Sequence, residues 1–126
     1  MDNVEIMDEL GQEIVAEQLK SLHRELSGFE DNLKQVLEAK ENYEPQWEID
    51  KRLYEIMIEG HRKIEAQHEF EKNDEYWELR KRQLEYKFRQ EKHLAESRIN
   101  GYNIQIEALT KQVNSNKTKI DELERS

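Results

Sequence analysis

Two stretches of this chain repeat the same spacing on either side of a break near Asn73-Asp74, and that limits what the chain can fold into. In the first stretch, large or apolar residues fall at Val15, Leu19, Leu22, Leu26, Phe29, Leu33, Val36 and Tyr43. In the second they fall at Ile99, Tyr102, Ile106, Leu109, Val113, Ile120 and Leu123. Steps of four and three are those of a helix that buries a narrow seam against another helix. The expected fold is all-α.

The supply of side chains agrees with a thin seam. Only 35% of the 126 residues are hydrophobic, whereas 39% are charged, so a thick globular core is not expected. Ala 5, Glu 23, Lys 12, Arg 8 and Leu 12 together make 60 of the 126, near the half typical of coiled coils and long helices. One proline and four glycines leave little punctuation for strands and turns. A net charge of −9 on so polar a chain also fits a disordered one, but periodic placement of the apolar residues argues for order.

Pro45 and Lys72-Asn73-Asp74 are the two interruptions. Pro45 lacks an amide proton and crowds the preceding turn, so it either kinks a helix or starts one. At Asn73 or Asp74 a side chain can cap a helix whose first turn, Glu75-Tyr76-Trp77, is acidic. The expected architecture is a long antiparallel helical hairpin, a coiled coil with its turn near Lys72–Asp74 and a kink at Pro45. It forms one unit over residues 1–126: an acidic amphipathic overhang (1–20), an outgoing arm (21–71) and a return arm (74–124). Partners then carry numbers that total about 145 if the turn sits there. Tyr43 meets Tyr102, Val36 meets Leu109, Leu22 meets Leu123, and Asn116 comes opposite Phe29, near water. Toward the turn, Met57 meets Phe88, Ile49 lies near Ala95, and Leu84 lies over Gly60. Trp77, Leu84, Phe88, Ala95 and Ile99 follow an eleven-residue rhythm instead of heptads. The alternative architecture is an elongated three-helix bundle with Pro45 as a corner.

Without cysteine there is no disulfide framework and no thiolate chemistry. No stretch has the apolar length of a membrane span, and the acidic N-terminus lacks the basic start of a signal peptide, so a cytoplasmic protein without membrane contact is expected. No phosphate loop, nucleophile elbow or Ser/His/Asp constellation is present, and a two-helix seam offers no deep pocket; no catalytic residue is expected. Glu65-Ala-Gln-His68, with His61 one turn earlier, has the Glu-x-x-His spacing of di-iron bundles, but that site class needs a second copy of the motif. No metal or cofactor is expected.

What remains is surface. Residues 1–44 hold twelve acids and four bases, a balance of −8. On this acidic segment Val4, Met7, Leu10, Ile14 and Val15 form an apolar stripe without a partner in the hairpin. Met7, Leu10, Ile14 and Val15 are therefore candidate partner-binding residues, for a helix-in-groove contact or a homodimer. Trp47 joins them if exposed, because Trp is a favoured interface anchor, although packing in the seam is its commoner use. Arg80-Lys81-Arg82, with Lys87, Arg89 and Lys92, lies among Trp77, Tyr86 and Phe88. Nearby acids can pair with these bases at helical spacing, so the cluster does not point to nucleic acid.

Two matched arms resemble small coiled-coil chaperones, virus scaffolding proteins and subunits of tethering complexes, although no specific motif ties the chain to one family. The expected function is a non-catalytic interaction module: an adaptor, chaperone or assembly factor that presents helix surfaces to a partner protein. The alternative is a small acidic inhibitor, of the kind a virus or mobile element encodes, that blocks a nucleic-acid-binding enzyme by charge mimicry.

Overall fold

Every described residue is helical. A computed structural model describes the backbone of residues 3–67 and 74–125 and the side chains of residues 8–67 and 75–125. Helix α1 spans Asn3–Gln67 and α2 spans Asp74–Arg125, and the two pack against each other. The turn foreseen at Lys72–Asp74 lies outside the described residues, except for the backbone of Asp74.

Helix α1 runs unbroken through Pro45. The corner that a three-helix bundle requires is therefore not made. Proline removes one backbone hydrogen bond and displaces the carbonyl four residues back, at a cost of about 3 kcal/mol. Glu41 and Pro45 are both exposed, so this defect lies on the solvent side of the helix. Half-buried Tyr43 before the proline and buried Trp47 after it hold the helix on its neighbour through the defect.

Contacts divide the chain into two units: Met1–Glu38 with Asn103–Ser126, and Ala39–Tyr102. In the first, covered positions on α1 are Val15, Leu19, Leu22, Leu26, Phe29, Leu33 and Val36. On α2 they are Ile106, Leu109, Val113, Asn116, Ile120 and Leu123. Both sets step by four and three without exception. The antiparallel order is plain: His23 Nε2 lies 3.9 Å from Glu124 Oε1, and Asn116 Nδ2 donates to Glu25 Oε2 at 3.4 Å.

Asn116 corrects one expectation. It is 5% exposed, not near water. The Glu25 carboxylate from the facing helix accepts from its amide, and that allows a polar side chain to occupy a seam position. Val113 and Ile120, one turn to either side, are the buried apolar residues here.

The second unit keeps a different rhythm. Trp47 and Ile58, both buried, are eleven residues apart, and on α2 Trp77, Phe88 and Ile99 recur at the same interval. Eleven residues make three turns at 3.67 per turn, close to the 3.6 of a straight helix, so the same face keeps returning to the seam. Tyr43 meets Tyr102 edge-on at 6.2 Å, Tyr54 meets Phe88 at 5.5 Å, and His61 meets Trp77 at 5.5 Å. Stepping inward from the first two pairs brings Trp47 level with Ala95, a large residue against a small one. Ala95 is 1% exposed.

This rhythm corrects the expected pairings near the turn. Tyr54, not Met57, meets Phe88, while Ile49 and Met57 lie on the surface. A side chain built at Gly60 would meet nothing within 4 Å, so Leu84 does not pack over it. Strict heptads extended from Tyr43 would carry Met57 inside. The eleven-residue step substitutes Ile58.

Candidate interaction surface

The acidic stripe starts from local sequence. Among residues 8–19, apolar side chains recur at Leu10, Ile14, Val15 and Leu19, with Asp8, Glu9, Glu13 and Glu17 between them. Val15 and Leu19 are partly covered, whereas Leu10 is 52% and Ile14 59% exposed. The side chains of Val4 and Met7 lie outside the described residues. Further along, Gln18, Ser21 and Leu22 of α1 and Lys119, Glu122 and Leu123 of α2 line one shallow groove. The stripe thus runs from exposed Leu10 and Ile14 into an open groove with an apolar floor.

Trp47, the other candidate, is 7% exposed and belongs to the core of its own unit. Packing is the role its position serves.

Three bases of the cluster on α2, Arg80, Lys81 and Arg82, make internal contacts. Lys81 Nζ lies 2.9 Å from Glu65 Oε2 across the seam, Arg82 Nη2 2.9 Å from Glu78 Oε1, and Arg80 Nη1 donates to Gln83 Oε1 at 2.9 Å. Trp77 and Phe88 are seam rings. Tyr86 is exposed, and its hydroxyl accepts from Gln90 Nε2 at 2.8 Å. Arg98 is engaged as well: its guanidinium lies 4.6 Å from the Tyr43 ring centre, and its Nε donates to Tyr102 Oη at 3.1 Å. That hydrogen bond, with the attraction of Tyr102, raises its pKa above the usual arginine value.

His61 and Glu65, from the segment with Glu-x-x-His spacing, have other contacts among the described residues. The His61 ring packs on Trp77, its Nδ1 is buried without a hydrogen-bond partner, and Glu65 is taken by Lys81. His68 lies outside the described residues. Among the described residues no group of three or more His, Asp or Glu side chains is placed to hold a metal ion. Among them, too, no helix is long and apolar enough to cross a membrane.

A feature that the sequence reading missed is a second apolar flank on α1. Ile49, Leu53, Ile56 and Met57 are between 43 and 56% exposed. At about 100° per residue they share a sector some 125° around the helix from the seam. Absence is the signal that could have found it: from Asn42 to Gln67 that sector holds no charged residue, in a chain that is 39% charged.

No protein-family model matches this chain, and neither a curated protein nor a solved structure matches it.

Proposed function

We propose that this chain is a non-catalytic interaction module, an adaptor, chaperone or assembly factor that offers helix surfaces to a partner protein. The observation that carries the reading is the exposure of Leu10 and Ile14 on an acidic helix face. Large apolar side chains aligned at one-turn spacing suit the groove of a partner, and their burial would stabilise the contact by about 25 cal/mol per Å2. Met7 and Val15 extend the stripe in either direction. On this reading the seam is coiled-coil packing, bent at Pro45 and reversed at Lys72–Asp74, and it serves to hold the surface rigid.

Capture from nuclease-treated lysate tests this, with the full chain and a Leu10→Glu/Ile14→Glu variant compared at moderate and high salt. A protein held at both salts by the full chain, and lost with the variant, supports an apolar docking site. A partner released by salt, retained by the variant and belonging to the nucleic-acid machinery would overturn it in favour of the acidic inhibitor. Charge mimicry depends on many screened contacts, so salt separates the two readings.

A further inference from the structure

The uncharged flank of α1 lies on a different unit from the acidic stripe and does not depend on it. Reading from Asn42 to Gln67, it presents Ile49, Leu53, Ile56, Met57, Gly60 and Ile64, closed by the amides Asn42 and Gln46 at one end and Gln67 at the other. Such a row needs a cover. We infer that the cover is a second copy of this chain, docked antiparallel so that the α1 flanks of two molecules face each other about a twofold axis between Leu53 and Ile56.

Six of the nine flank positions match in reverse, while Gln46, Met57 and Ile64 come opposite residues outside the flank. When Leu53 of one copy faces Ile56 of the other, Ile49 faces Gly60 and Asn42 faces Gln67: branched against branched, large against small, amide against amide. A twofold contact requires such self-complementarity. At the margin, Glu59 of one copy comes two residues, about 3 Å along the axis, from the level of Arg52 of the other, within reach of a favourable pair. Gly60, which like Gly11, Gly28 and Gly101 has nothing within 4 Å of a built side chain, leaves room for Ile49 of a second copy.

Charge points to this occupant too. Residues 39–102 carry fifteen acids and thirteen bases, a balance of −2, whereas the rest of the chain holds the other −7 of the total −9. Two copies can therefore meet through this unit with little repulsion, which the acidic segment would not permit.

Light scattering and sedimentation of the full chain at micromolar concentration give the test. The expected mass is that of two chains. Leu53→Glu/Ile56→Glu should give one chain with helical circular dichroism unchanged, because both residues are exposed in the single chain. Gly60→Leu should also give one chain, and Leu10→Glu/Ile14→Glu should leave two. Cysteine variants report orientation in this cysteine-free chain: Ile49→Cys combined with Gly60→Cys should cross-link between copies on oxidation, and Ile49→Cys alone should not. A wild-type mass of one chain would overturn the inference. So would a dimer that survives Leu53→Glu/Ile56→Glu, or cross-linking by Ile49→Cys alone.

Discussion

His61 and Asn116 show how polar residues are accommodated in a seam this thin. His61 meets Trp77 with the rings tilted 55° and their centres 5.5 Å apart, yet its buried Nδ1 has no partner. A buried nitrogen left unpaired costs about 1–3 kcal/mol. His61→Phe keeps the ring contact and removes that nitrogen, so it should raise stability by about 1 kcal/mol, read as a higher urea midpoint with an unchanged slope. A lower midpoint would show that water already satisfies the nitrogen. Asn116 differs in having a partner, at a long 3.4 Å. Glu25 is exposed and can turn to water, so Asn116→Leu should stabilise the fold by about 1–2 kcal/mol. A polar seam residue also fixes register. The same variant should therefore lose the single register, seen as doubled amide resonances from the Val113–Ile120 turn.

At the scale of the helix, Pro45 is a defect carried by its neighbours. Pro45→Ala restores a hydrogen bond and removes a clash, and should add up to about 3 kcal/mol to stability. Thermal unfolding checks it; an unchanged midpoint would mean that the helix is already relaxed at this position. The helices were legible in the sequence because their apolar spacing is regular, and Tyr43 against Tyr102 followed from that spacing alone. Ile49 and Met57 were misplaced for an equally physical reason. A heptad and an eleven-residue repeat coincide for the first few steps, and aliphatic residues occupy both candidate rows beyond Trp47. Only burial separates Ile58, inside, from Met57, outside. Asn116 was misread because a carboxylate 91 residues away supplies its hydrogen bond. The acidic stripe was legible as a pattern, and its exposure at Leu10 and Ile14 came with the structure.

For the molecule as a whole, charge opposes the fold more than it supports it. Among the described residues, four ion pairs join residues three or four apart on one helix, such as the exposed pairs Arg82 with Glu78 and Lys111 with Glu107. Pairs of this kind contribute about 0.2–1 kcal/mol each and weaken in salt. The net −9 is unfavourable throughout, and salt screens it as well. Repulsion should prevail, so raising sodium chloride from about 0.05 to about 0.5 M should raise the melting temperature by a few degrees. A fall would identify Lys81–Glu65, half-buried at 2.9 Å, as more important than its surroundings suggest.

The two rhythms of the seam also decide how evolution or an engineer can resize this protein. Where both helices count in sevens, as in the unit formed by Met1–Glu38 and Asn103–Ser126, residues can be removed only in matched blocks. Loss of a heptad from α1 alone leaves Val113 and Ile120 facing layers displaced by about 10 Å. Loss of facing heptads from α1 and α2 restores every layer. The paired deletion should fold and melt cooperatively, whereas either single deletion should not. Between Trp47 and Ile58 the smallest removable block is eleven, so insertions and deletions act there as a change of gear ratio, not of length.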